Sequence, residues 1–542
     1  MRILYNSTIV KYGRAIRESP KELIFNRRLL VTAALYAMSG IPITWDQGSS
    51  SLVPSLAGFQ EAFGISSGAN PSEISNFISF VYLTAGVGAG LSYFINDRIG
   101  RLWSLRLYMC IWVIGQLIAT FSGGHLGALY TARFVSGLGI GPLTATGPMS
   151  IVEIAPYEIR GLLATWFSVV MLLSLTISCF VVYASFLHVA SSHLQYQIVW
   201  FVPCIIIEII IALSFFCMYE SPRWLMLVGR EEEAIETLVA LRGLPIEHPR
   251  VASEFNDIKA QTEGERSKFG GGSVSLKSVL KETFLVNANL RRVGQACISY
   301  GLAQLSGANS VTSYLVPILT LIGAGGTTDR NMFLTGMYSM AKFFYTLMAS
   351  FFFIDALGRR KSLFVGIIVQ MVSDIYIGVY LKFKQAGSVA PGSSEGAIAA
   401  IYIHGFGYAV GLLVLPYVFS AELWLNNIRS FGSALTQCFH WLFYFGVNKG
   451  TPGILSSMDN WGAFLFFAGW CFISLVYVFV AVPETAGLSL EHIDALFEGP
   501  FWQMNSKARM NRKMTGVIVS PGSDDASIED VEVGRSGKAG ET

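Results

Sequence analysis

The chain has 542 residues, 52% of them hydrophobic and 14% charged, with a net charge of +2 and a mean hydropathy of +0.51. That balance is too apolar for a soluble protein of this length and too nearly neutral for a nucleic-acid binder. The seven cysteines show no spacing of a disulfide framework or a metal cage. No nucleophile–base constellation, phosphate loop or metal motif points to an enzyme.

Residues 1–28 are polar and basic, without the apolar core of a signal peptide. Apolar runs near the ~20 residues that span a bilayer then recur. They occupy 29–57, 74–95, 103–122, 127–149, 162–187 and 197–218, then 293–321, 332–354, 362–381, 397–421, 431–452 and 461–482. The expected fold class is therefore an all-α membrane protein with twelve transmembrane helices. Lys11, Arg14, Arg17, Lys21, Arg27 and Arg28 precede the first span, and Arg98, Arg101, Arg359, Arg360 and Lys361 follow even-numbered spans. The loops after spans one, three and five carry no Lys or Arg. The positive-inside rule then puts both termini in the cytosol, and a plasma-membrane location is expected.

The chain also repeats itself. "DRIGR" (97–101) follows span two and "DALGRR" (355–360) follows span eight. Glu153 and Arg160 follow span four with the same spacing as Glu422 and Arg429 after span ten, and Glu220 and Glu484 follow spans six and twelve. Three signatures in the same order predict two pseudo-symmetric six-helix bundles, 29–218 and 293–482. Between them, 219–292 reads as a cytosolic insert in which "EEEAIETLVALRG" and "HPRVASEFNDIKAQ" form amphipathic helices. The tail, 483–542, is expected to be cytosolic and unstructured after about 505.

Asp97, Arg101, Glu153, Arg160, Glu220, Asp355, Arg359, Arg360, Glu422, Arg429 and Glu484 thus form two matching sets of charge at cytosolic helix ends. Charge-assisted pairs crossing between bundles would latch one conformation and break in the other. The plainer reading is topology signal and solvated loop charge.

Among the charges that fall at membrane depth are Asp46, Arg133, Lys342 and Asp374. An intramembrane ion is expensive unless paired or hydrated, and marks a functional site by default. Lys342 has two readings: attraction of a substrate carboxylate, or snorkelling or pairing with a cytosolic acid. Asp374, near the end of its span, is as well suited to a structural role as to a functional one.

"RFVSGLGIGPLTATGPMSIVEIAPYEIRG", "YESPRW", "AQLSGANSVTSY", "DALGRRKS" and "VPETAGLSLEHIDALF" resemble the sugar porter family of the major facilitator superfamily, over about residues 29–497. "GMYSMAKFFYTLMASFFFIDALGRR" and "HWLFYFGVNKGTP" are similar to its fungal members, including quinate permease-like ones. The resemblance implies alternating-access transport of a sugar, polyol or related hydroxylated solute. It implies the proton gradient as energy source and no bound cofactor. Asp46 and Arg133 match the family's proton-coupling pair. The resemblance further implies a charged Asp held near Arg133 and released on protonation.

Gln304, Asn309, Ser313 and Tyr314 follow one another in span seven, and bare amides in a membrane helix need partners. Tyr417, His440 and Trp441 extend the substrate surface, with Trp441 as an apolar platform for sugar C–H groups. For each aromatic the competing reading is ordinary packing. The sequence departs from the glucose-type pattern at Ser168 and Ala303, where glutamines are usual, and at Tyr417 and His440. Two alternatives stand beside proton symport: uncoupled passage of quinate-like hydroxy acids, and a transporter-like nutrient sensor, against which the short tail argues.

Overall fold

The structure is a computed structural model describing residues 20–65, 71–268, 276–323, 326–350, 359–390, 392–413 and 428–482, with isolated positions 13, 16, 17 and 424. Among these residues every regular element is helical. The first expected span holds α1 (Arg27–Met38) and α2 (Ile41–Leu52). Asn26 caps α1 by accepting from the Arg28 N–H. Pro42 sits in the first turn of α2, where its missing N–H costs no helical bond. α3 (Pro71–Ile99), α4 (Arg101–Thr120), α5 (Leu126–Ile154), α6 (Arg160–His188) and α7 (Leu194–Cys217) follow.

The insert contains α8 (Glu231–Arg242) and α9 (Pro249–Lys268), which fall on the two amphipathic stretches, α9 continuing past the second. Expected span seven is broken into α10 (Asn287–Leu305), α11 (Ala308–Ser313) and α12 (Leu315–Ile322). Then come α13 (Thr328–Met348), α14 (Arg359–Gln385), α15 (Ser393–Val410), α16 (Arg429–Ser457) and α17 (Trp461–Ala481). Helix therefore falls in each expected interval.

Seven stretches among the described residues are long and apolar enough to cross a membrane by length and composition: Lys21–Ser55, α3, α4, α6, α7, Arg360–Gln385 and α17. The other intervals carry more polar or glycine residues, and many of these face the interior. Large apolar side chains such as Phe216, Phe479 and Ile209 are exposed instead of buried. In water such a surface would drive aggregation; against lipid it is the matched solvent.

Close packing of α3 on α5 depends on glycine. A Cβ at Gly141 would stand 1.9 Å from the Ala85 carbonyl oxygen, so α5 approaches α3 through its own backbone. The break in span seven is set at Gly307, whose φ of +83° is left-handed. A Cβ there would also meet the Phe467 ring at 2.6 Å. α11 thus carries Asn309 and Ser313 on a short, fully buried segment. The insert is clamped to α5: buried Arg242 pairs with Glu254 at 2.7 Å and donates to the Ile154 carbonyl at 2.8 Å. Arg250 pairs with Glu158 at 3.0 Å.

Candidate functional site

α2 brings Asp46 into the interior because its neighbours are anchored on both sides. Thr44 donates to the Met171 carbonyl of α6, and the Trp45 indole donates to the Val199 carbonyl of α7 at 3.1 Å. Asp46 is only 2% exposed and Arg133 3%. Arg133 Nη1 donates to Asp46 Oδ2 at 2.8 Å, so the two expected partners do meet.

The pair is not isolated. Ser50 donates to Asp46 Oδ1 at 3.3 Å, and Gln116 of α4 donates to Oδ2 at 3.4 Å. Arg133 Nε donates to the Phe77 carbonyl at 2.7 Å, and its guanidinium lies 4.7 Å from the Phe77 ring centre. These contacts offset the desolvation of both charges. They also leave Arg133 partly held when the carboxyl is neutral. Gln116 was not singled out in the sequence, although the bare-amide rule that flagged Gln304 applies to it equally.

The expected substrate residues divide. Gln304 Oε1 accepts from Asn309 Nδ2 at 2.8 Å across the Gly307 break, and Gln304 Nε2 lies 3.4 Å from His440 Nδ1. Asn309 Nδ2 also reaches the Tyr408 hydroxyl at 3.4 Å. Ser313 lies beside Tyr82 and Tyr444. The Tyr314 hydroxyl donates to the Asn448 carbonyl at 3.0 Å.

Trp441 stacks on Tyr82 with ring centres 5.7 Å apart and planes at 13°, while its indole donates to Thr144 at 3.2 Å. It is therefore an aromatic platform joining α16 to α3 and α5. Ser168 is apart from this group: it is exposed and lines a narrow cleft with Thr165 and Thr346 between α6 and α13. Tyr417 lies outside the described residues. Tyr82, Tyr408 and Tyr444 carried no distinguishing sequence signal among so many aromatics.

The cytosolic charge set behaves differently from the expected latch. Arg101, 2% exposed, grips Glu153 through Nε at 3.0 Å and Nη2 at 3.1 Å, and Asp97 through Nη1 at 3.0 Å. Glu220 accepts from the backbone N–H groups of Arg101 and Leu102, both at 3.0 Å, and so caps α4. All four residues belong to α3, α4, α5 and the segment just after α7. Among the described residues these pairs tie one half together, which differs from the expected crossing for this copy. Arg160 is exposed, and its side chain makes no ion pair or hydrogen bond among the described residues. Arg360 donates to the Phe479 carbonyl at 2.6 Å. Asp355, Glu422 and Glu484, and the side chains of Arg359 and Arg429, lie outside the described residues.

Two further charges correct the sequence reading. Lys342 is 6% exposed, does not snorkel, and meets no acid among the described residues; its ammonium donates to Thr312 at 3.1 Å. Asp374 is fully buried in the middle of α14, not near its end. His404 Nε2 approaches it at 3.4 Å, inside ion-pair range but outside hydrogen-bond geometry.

The "Sugar (and other) transporter" family profile matches residues 32–497. The chain belongs to that family. Among curated relatives, the quinate permease of Emericella nidulans is 29% identical over 499 residues, covering 91% of this chain and 92% of that protein. The probable quinate permease of Aspergillus clavatus is 30% identical over 505 residues, covering 90% and 91%.

A solved structure of the proton:xylose symporter XylE bound to 6-bromo-6-deoxy-D-glucose superposes with a TM-score of 0.70 at 19% identity, covering 88% of this chain and all of that one. The inward-open E. coli xylose transporter gives 0.67 at 18%. The fold of this sugar-transporter family member is thus the major facilitator fold, and the chain is an integral membrane transporter.

Proposed function

We propose that the chain is a proton-coupled secondary transporter for a polyhydroxylated solute, working by alternating access between the halves 29–218 and 293–482. The observation that carries this reading is the buried Asp46–Arg133 pair, adjacent to a polar and aromatic surface shared by both halves. The charged carboxylate is held by Arg133, Gln116 and Ser50. A proton arriving at Asp46 cancels its charge and weakens that hold, changing the relative energies of two arrangements; only such a difference lets a proton drive movement.

Gln304 and Asn309 replace solute water at the hydroxyls, and Trp441 covers the C–H face. The proton gradient is the energy source, the bilayer is the surroundings and the membrane is the plasma membrane; the charge bias supports cytosolic termini. The insert helices α8 and α9 ride on the first half through Arg242 and Arg250.

A second reading is uncoupled passage of quinate-like hydroxy acids, whose substrate class is the one in the names of the relatives. Uptake of hexoses, pentoses, polyols and quinate in transporter-deficient cells at two pH values separates the two. Symport predicts faster uptake at acidic external pH and accumulation above the external concentration; uncoupled passage predicts equilibration only. A nutrient sensor would signal without accumulation.

A further inference from the structure

Lys342 lies in the middle of α13 with its side chain almost wholly removed from solvent. An ammonium group has three N–H donors, and among the described residues this one has a single hydrogen-bond partner, Thr312 Oγ1. The Thr312 hydroxyl donates its own proton to the Ala308 carbonyl at 2.9 Å, so it serves Lys342 purely as an acceptor.

The rings of Tyr338 and Tyr408 lie 5.9 and 6.0 Å from the ammonium, close enough to favour a cation but without neutralising it. No carboxylate among the described residues forms an ion pair with it, and Asp374 is directed at His404 instead. A buried cation with two donors unmatched among the described residues is an incomplete site, and the missing component is an anion.

Its position says whose anion. Thr312 stands one helical turn after Asn309 on α11, so the two side chains share a face. Tyr408, whose ring faces Lys342, touches Asn309 through its hydroxyl. Lys342, Tyr408, Asn309 and Gln304 therefore form a continuous polar string, positive at one end and amide at the other. A neutral sugar would satisfy the amides and leave the cation unmatched. A solute with hydroxyls at one end and one carboxylate at the other satisfies both.

We propose that Lys342 is the anion-reading residue of the transport site, holding the carboxylate of a hydroxylated monocarboxylic acid while Gln304 and Asn309 hold its hydroxyls. This rests on the transporter reading above. It also makes symport with one proton electroneutral.

The test uses purified full-length protein in liposomes and two acid–neutral probe pairs: quinate with its methyl ester, and galacturonate with galactose. In the wild type, at least one acid is expected to bind about tenfold or more tightly than its neutral partner. Lys342→Met should lower the affinity for that acid by about tenfold and alter the neutral partner by less than about threefold. Lys342→Arg should restore a measurable preference.

Equal binding of acid and neutral partner in both pairs by the wild type overturns the proposal. So does a folded Lys342→Met protein that keeps the preference, or loses both partners equally. If Lys342→Met does not fold, Lys342→Arg decides: an unchanged acid-to-neutral ratio overturns the assignment. Wild-type protein that moves none of the four probes counts against the transport reading itself, a result distinct from lost discrimination.

Discussion

Gln47 donates a 2.7 Å hydrogen bond to the Tyr444 hydroxyl. The residue next to the buried acid is thereby tied to the helix that carries Trp441, and Tyr444 in turn meets Tyr82 edge to face at 4.1 Å. A shift of α2 on loss of the Asp46 charge must therefore be felt at the aromatic platform.

Asp46→Asn mimics the permanently protonated acid. Accumulation driven by a pH gradient in liposomes should disappear, while exchange of substrate down its gradient survives. Leaving Arg133 unmatched is expected to cost about 3–5 kcal/mol of stability. The double change Asp46→Asn with Arg133→Met should recover part of that, a coupling that thermal unfolding of the purified proteins would measure. Concentrative uptake by folded Asp46→Asn would place the coupling site elsewhere.

Tyr444→Phe removes the acceptor for Gln47 with almost no change of shape. Loss of this part-buried hydrogen bond should cost about 0.5–1.5 kcal/mol. Substrate transported per proton should fall, because Asp46 and the platform no longer move together. Simultaneous proton and solute flux measurements check this. An unchanged ratio would mean that the bond is structural only.

Arg101→Ala strips the cation from Glu153 and Asp97 and is expected to destabilise the protein by about 3–5 kcal/mol. Because these partners lie within one half, loss of thermal stability should dominate over any change in side-specific cysteine labelling. A large labelling change with unaltered stability would restore the latch between halves.

Gly307→Ala forces a side chain into a left-handed residue and against Phe467. The backbone penalty alone is about 1–2 kcal/mol. Gln304 and Asn309 lie on opposite sides of this break, so substrate affinity should weaken by about tenfold or more. Equilibrium binding on purified protein is the measurement; wild-type affinity in the variant would show that the break can be relocated without harm.

The insert gives a pH dependence outside the membrane. Burial acts to raise the Glu254 carboxyl, but the hydrogen bonds and charge of Arg242 overcome it and hold the pKa below the usual carboxylate range. A depressed folded pKa stabilises above the unfolded value of about 4.3 and loses that contribution as pH falls through the folded value. Hydrogen exchange across α8 and α9 should therefore rise selectively below about pH 4. Arg242→Met should show faster exchange already at neutral pH.

Much of this was legible in the chain itself. Hydropathy and charge bias are one-dimensional signals, so the helical intervals and the two insert helices could be read directly. Asp46 and Arg133 stood out because a charge in hydrocarbon is costly wherever it packs. What only the tertiary structure decided was who meets whom. It placed Gln116 on Asp46, Tyr82 under Trp441, Ser168 in a separate cleft, and the Arg101 pairs inside one half. Among the described residues it also left Lys342 facing a hydroxyl and two rings instead of an acid. Trp441 and Thr144 are 297 positions apart and Gln47 and Tyr444 are 397 apart, yet each pair is in hydrogen-bond contact. Composition records the cost of burying a group; its partner is set by how helices pack side by side, which no local pattern encodes.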